Sequence, residues 1–287
     1  PPRSTLSSSS AASDVYKRQL LLTISQSGET ADTLGALRYA KERDYLGSLT
    51  ICNVPTSSLA RESDFVLLTN AGPEIGVAST KAFIGQMLVL LLLTLKISKD
   101  RKDIDPDVFK KLIDDIINLP DLIKETLSKQ KEIQEIARDF INAKGTMYLG
   151  RGYSYPIAME GALKLKELSY IHAEGYAAGE MKHGPLALIE DGMPIVVLAP
   201  KDRYFEKTIS NMQEVIARGG KVLMITNDKS KTLSENIRFK FELPDFQSHI
   251  SAFLLTIPIQ FLAYHVALLK NCDIDKPRNL AKSVTVE

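Results

Sequence analysis

One order of elements occurs twice in this chain, and that repetition limits the possible folds more than any single motif does. The first copy runs from the apolar stretch "LLLTIS" into the helical pattern "TADTLGALRYAKERD", where Leu34, Leu37 and Ala40 share one face. It continues through "SLTICN" and "FVLLTN" to a long helix from about Thr80. The second copy runs "MPIVVLAP", "YFEKTISNMQEVIARGG", "KVLMITND", "RFKFELPD" and the apolar helix "HISAFLLTIPIQFLAYHVALL". Asn53 and Asn227 stand at equivalent places in the two copies, and the closing helices fall at nearly the same lag. Strands alternating with helices predict an α/β fold with parallel sheets covered on both faces and ligands bound outside the carboxyl ends of the strands. "LLLTIS" has the unbroken apolar character of a strand buried on both faces.

The repeat also sets the expected boundaries. Residues 1–19 form a Ser-rich, low-complexity leader without apolar period and are set aside from the fold. The first domain is placed at 20–105, a charged helical connector at 106–143, the second domain at 144–275 and a tail at 276–287. In the second copy a strand, a helix and a long loop, "TMYLGRGYSYPIAMEGALKLKELSYIHAEGYAAGEMKHGPLALIEDG", precede the first matching strand, and the first copy has no counterpart. The first domain is therefore expected to be cut short at its amino end, because a sheet lacking its opening strand exposes an edge.

Composition removes several classes of function. With 36 basic and 35 acidic residues the net charge is +1, which gives no broad field for nucleic acid or an anionic membrane. Cys52 and Cys272 stand alone without CxxC spacing, which argues against a disulfide scaffold or a bound metal and fits the reducing cytoplasm. "FIGQMLVLLLLTLKI" is too short to span about 30 Å of hydrocarbon and holds Gln86 and Lys96, so it is expected as a core helix. Pro258, Gln260 and His265 interrupt the second long apolar run, which is expected as a buried helix.

Ser25, Gln26, Ser27, Gly28 and Thr30 occupy the turn from a buried strand into a helix. Free backbone N–H groups and the positive helix end converge there, and hydroxyls add neutral donors, which suits a phosphate. The cluster is neither a GK[ST] loop nor a GxGxxG fingerprint, so nucleoside triphosphate and NAD are disfavoured. Helix capping is the competing reading, since Ser and Thr favour that position. The equivalent turn of the second copy, "APKDRYFEKT", keeps the strand and helix but not the hydroxyls, which favours binding. Ser79 and Thr80 open another helix on the same sheet end, where capping and binding stay open.

"ISQSGETADT", "EIGVASTKAF", "KLKELSYIHAEGYAAGEMKHGPLALI" and "DKPRNLAKSVTVE" together resemble the isomerase part of the glutamine:fructose-6-phosphate amidotransferase (glucosamine-6-phosphate synthase) family, from about Leu20 to Glu287. The resemblance implies two tandem sugar isomerase (SIS) domains, each a three-layer α/β/α sandwich. It implies fructose 6-phosphate and glucosamine 6-phosphate as ligands, with Ser25, Gln26, Ser27, Thr30 and Ser79 as sugar-phosphate contacts. Ammonia would come from a glutaminase domain. The present chain opens Pro1-Pro2 without that domain's cysteine nucleophile, so it is not expected to hydrolyse glutamine.

Glu160, Lys164 and Glu167 fall on one helical face, and spacing alone describes solvated ion pairs. The resemblance implies instead that Glu167 moves the proton between C1 and C2 of the open-chain sugar, with Lys164 in support. It implies that His183 opens the sugar ring from the neighbouring subunit of a homodimer, and that Lys282 forms a Schiff base with the C2 ketone. No metal or organic cofactor is implied. Two alternatives stand beside this reading: a non-catalytic sugar-phosphate sensor, and a phosphosugar isomerase without amination. Presence of Glu167, His183 and Lys282 together weighs against a sensor, which needs only the cradle. Arg278 is left as an anchor for either the tail or the substrate.

Overall fold

The computed structural model describes residues 19–230 and 237–283 and divides the chain into two compact units. One runs to Asp103 and takes in the chain from Ala281 onward; the other spans Ile104–Leu280.

The first unit holds a three-stranded parallel sheet in the order β1 (Leu20–Ser25), β2 (Gly47–Cys52), β3 (Phe65–Leu68). Between them lie α1 (Ala31–Lys41) and the short α2 (Ser58–Glu62), and α3 (Lys81–Asp100) follows β3. Leu34 and Leu37 of α1 pack with Leu59 of α2 against Leu21 of β1. Strand β2 is buried from Ser48 to Cys52, so both of its faces are covered.

Two expectations fail in this unit. Leu20, Leu22 and Ile24, alternate residues of β1, are exposed. The strand is thus buried on one face only, because it is the edge of its sheet and nothing described lies over the other side. Helix α3 is not a core helix either: Ala82 and Leu95 are its only fully buried residues.

The second unit opens with α4 (Pro106–Ser128), whose cap, Asp105, accepts from the N–H groups of Asp107 and Val108. With α5 (Gln130–Ile136) and a 3-10 turn at Ala137–Phe140 it makes up the charged helical stretch 106–143. These helices pack on α8 (Ser251–Leu269) within this unit. The parallel sheet runs β5 (His172–Ala177), β4 (Gly145–Gly150), β6 (Pro194–Leu198), β7 (Lys221–Thr226), β8 (Phe239–Glu242). Helix α6 (Ser154–Ser169) joins β4 to β5, and α7 (Phe205–Ile216) joins β6 to β7. Every residue of β6 is buried.

The order β6-β7-β8 repeats β1-β2-β3, and α8 repeats α3. Among the described residues, what the second unit has besides is β4, α6 and β5, together with the helices α4 and α5 that open it. Helix α6 lies against both β4 and α8, closely enough that a Cβ at Gly161 would stand 2.7 Å from the Tyr148 ring and 3.1 Å from Ile259.

Candidate functional site

Most of the chemical groups singled out in the sequence form two clusters, one in each unit, and His183 stands apart from both. In the first unit the chain leaves β1 at Ser25 and turns back at Gly28, whose φ of +69° is left-handed. A Cβ there would lie 2.1 Å from Ser57 Oγ, so only glycine fits the turn. The Gly28 N–H donates to Ser25 Oγ at 3.0 Å and the Glu29 N–H to Ser27 Oγ at 3.2 Å. Glu29 Oε1 in turn accepts from the Ser58 N–H at 2.7 Å, which pins the turn to the start of α2.

Thr30 occupies the cap position of α1, yet its side chain makes no capping bond; its hydroxyl lies 3.1 Å from Ser25 Oγ instead. The hydroxyls bond to one another and to the turn, and the first N–H groups of α1 receive no side-chain cap, which leaves a concentration of donors suited to an anion. Gln26 and Ser27 flank it half-buried. Ser79 lies half-buried before α3 and makes no hydrogen bond among the described residues.

The tail residues Lys282 and Ser283 belong to this unit. Lys282 Nζ donates to the Gly76 carbonyl at 2.8 Å and to Glu74 Oε2 at 3.1 Å, and Ser283 Oγ lies 3.2 Å from Ser27 Oγ. The apolar residues of the tail are Leu280, Ala281, Val284 and Val286. Leu280 and Ala281 are exposed, and Val284 and Val286 lie outside the described residues; the described part is held by polar contacts. Arg278 proves to be an anchor for the chain: its N–H donates to the Tyr170 hydroxyl at 2.9 Å and its guanidinium lies 4.1 Å from the Tyr170 ring centre.

In the second unit Lys164 is buried on α6 between two carboxylates. Its Nζ lies 2.6 Å from Glu167 Oε2 and 3.7 Å from Glu160 Oε1, so its hydrogen bond goes to Glu167 and Glu160 Oε1 is left without a donor. Burial, opposed by the Lys164 charge and reinforced by that of Glu167, pushes the Glu160 carboxyl up to about 7. Spacing had described solvated pairs; the structure buries this trio, with side-chain exposures of 10% for Glu160, 5% for Lys164 and 21% for Glu167. His183 ends a 3-10 turn at Ala178–His183, three-quarters exposed, with Glu180 4.0 Å away. It forms no hydrogen bond or ion pair with Lys164 or Glu167 among the described residues.

Two groups carry more than the sequence reading gave them. Glu160 was seen only as one member of a helical face, and Glu74 had no role at all. Glu74 lies six residues before Thr80 in "EIGVASTKAF", a stretch in which the hydroxyls rather than the acid carried the sequence signal. No group of three or more His, Cys, Asp or Glu side chains suited to a metal occurs among the described residues.

An α/β unit repeated in one chain, each copy built on a parallel sheet, is a class of fold that comparison with known proteins identifies. The SIS domain model matches residues 6–96 and 139–270, and the chain belongs to the SIS-domain family. Among curated proteins it is 54% identical over 275 residues to the glutamine–fructose-6-phosphate aminotransferase [isomerizing] of Escherichia coli K12, covering 96% of this chain and 45% of that protein. The protein of the same name from Bradyrhizobium diazoefficiens is 52% identical over 272 residues, with 94% and 45% covered. The chain thus spans a little under half the length of the curated relatives it matches. Among solved structures, the C-terminal domain of glucosamine-fructose-6-phosphate aminotransferase from Francisella tularensis superposes with a TM-score of 0.87 at 48% identity, covering 90% of this chain and 72% of that one.

Proposed function

We propose that this chain carries out the sugar half of glucosamine 6-phosphate synthesis, in which fructose 6-phosphate and ammonia give glucosamine 6-phosphate and water. The observation that carries this reading is the Ser27–Ser283 contact, which ties the hydroxyl cradle to the tail that bears Lys282. A phosphate-suited turn and a primary amine thus come from distant parts of the sequence into one unit, and the names of the relatives supply the substrate.

The roles follow residue by residue. Ser25, Gln26, Ser27, Thr30 and Ser79 contact the sugar phosphate with neutral donors. Lys282 adds its amine to C2 of the open-chain ketose: nitrogen bonds to carbon, and the carbonyl oxygen leaves as water with two of the nitrogen's protons. Ammonia then displaces the lysine at C2. Glu167 moves a proton from C1 to C2, and Lys164, hydrogen-bonded to it, keeps the carboxylate ready to accept. His183 exchanges the ring-opening proton, and its exposure suits a residue that serves a neighbouring copy's site in a homodimer.

The test is to supply fructose 6-phosphate with ammonium chloride and to follow glucosamine 6-phosphate by mass spectrometry. Product is expected from the chain and is expected to vanish in Lys282→Arg, since a guanidinium stays protonated and cannot be the nucleophile. Sugar binding by calorimetry without any product would instead support a sensor. Isomerised sugar without incorporated nitrogen would support an isomerase that does not aminate.

A further inference from the structure

Residues near a chain terminus stay mobile unless something ties them down, and a lysine on a four-carbon stem adds its own rotational freedom. The Lys282 amine has nevertheless one defined place, and the group that defines it is Glu74. This side chain is only 5% exposed. Its Oε1 accepts from the Thr80 N–H at 2.9 Å, the Thr80 hydroxyl at 3.1 Å and the Ala82 N–H at 3.4 Å. Thr80 makes no side-chain cap of its own, so Glu74 is what caps α3. Burial pushes the Glu74 carboxyl up, but the bonds from Thr80, Lys282 and Ala82 outweigh it and hold the group below the usual carboxylate range.

One oxygen of a fixed carboxylate is thus committed to the helix, and the other is left for Lys282 at 3.1 Å. The Gly76 carbonyl takes a second donor of the same amine at 2.8 Å. A neutral amine, the form that attacks a carbonyl, has two N–H donors and a lone pair; both donors are spent on Glu74 and Gly76, and the lone pair remains for the ligand.

We propose that Glu74 is the positioning residue that seats the Lys282 amine, so that the helix fixing the carboxylate also fixes the nucleophile. This rests on the assignment of Lys282 above. Glu74 does not bond to the sugar; it acts through Lys282. Ser27 secures the neighbouring Ser283, but it belongs to the cradle, so the phosphate competes for its hydroxyl. Glu74 is the hold that survives ligand binding.

Three measurements on the 287-residue chain test the proposal, using Glu74→Gln, which keeps the shape but removes the charge, and Glu74→Asp, which keeps the charge on a shorter arm. Amide hydrogen exchange of the peptide reaching Ser283 is expected to quicken about tenfold in Glu74→Gln and less in Glu74→Asp. Borohydride reduction in saturating fructose 6-phosphate, which delivers hydride to C2 of the imine and leaves a stable secondary amine, is expected to label Lys282 about tenfold more slowly in Glu74→Gln. Glu74→Asp is expected to recover part of that rate. Affinity for fructose 6-phosphate is expected to stay within about threefold, a split that general damage to the fold would not give. Unchanged tail exchange in Glu74→Gln overturns the proposal, as does labelling at the wild-type rate. If the wild-type chain binds the sugar yet gives no adduct at Lys282, the covalent role fails, while the exchange measurement still decides whether Glu74 seats the tail.

Discussion

Helices α3 and α8 are the same element in two copies of one unit; α3 runs to 20 residues, longer than its apolar stretch alone had implied, and both are long and apolar enough by composition to cross a membrane. Yet 67% of the apolar window in the second is buried within the protein, against 11% in the first. The difference lies in what packs on them rather than in their own residues. Helices α4, α5 and α6 all lie against α8, and no helix equivalent to α6 is found in the first unit among the described residues. Hydrophobicity along a helix states what it would gain from a partner; it does not supply the partner.

The comparison can be broken most directly by truncating each helix. Leu262 of α8 is fully buried, and Leu262→Ala is expected to cost about 2–5 kcal/mol, the transfer of the lost atoms plus the cavity they leave. Leu92 of α3 is 42% exposed, and Leu92→Ala is expected to cost about 1 kcal/mol or less. Urea unfolding of both variants measures this, and equal losses would mean that α3 has a partner in solution.

Acid distinguishes the units next, with opposite signs. Glu160 is pushed from 4.5 to about 7 in the folded second unit, so the native state holds the extra proton between those values. Stability falls as pH rises through that window, by on the order of 3 kcal/mol at most. Glu160→Gln is expected to flatten the slope. Glu74 in the first unit is held low: its contribution is complete above the ordinary carboxylate value and is lost as pH falls through the depressed one. Urea midpoints taken across pH 3–8 test both, and a Glu160→Gln variant with the parent's slope would remove the first claim.

The smallest effect separates the two equivalent turns. Replacing Ser27 and Thr30 together by Ala is expected to weaken fructose 6-phosphate binding by about 1–3 kcal/mol. Arg203→Ala, in the turn after β6, is expected to leave it unchanged. Calorimetry on folded variants settles the matter, and the reverse pattern would move the phosphate to the second unit.

The parallel sheets and their repeated order were legible because strand and helix periods are local, and the apolar positions of α1 fell where expected, with Leu34, Leu37 and Ala40 all buried. Burial was less legible. "LLLTIS" is apolar throughout, but coverage of its second face depends on an element elsewhere in space, and Leu20, Leu22 and Ile24 stay open. The hydroxyl cluster could be found within six residues, whereas Glu74 is tied to a lysine 208 positions away, a separation at which no pattern in sequence speaks. Lys164 was misread by spacing for a related reason. An i, i+4 pair looks the same in sequence whether its helix faces water or α8.

The turn at Ser25–Thr30 gathers its donors from hydroxyls, an amide and backbone N–H groups, with no lysine or arginine within the cluster itself. Donors of that kind are built into the chain. They shed no condensed counterions when an anion arrives, and partly buried dipoles are screened far less than exposed charges across a Debye length of about 8 Å at physiological ionic strength. A phosphate held there, as proposed above, would be discriminated by shape and by number of acceptor oxygens, with an affinity largely indifferent to the saltiness of its surroundings.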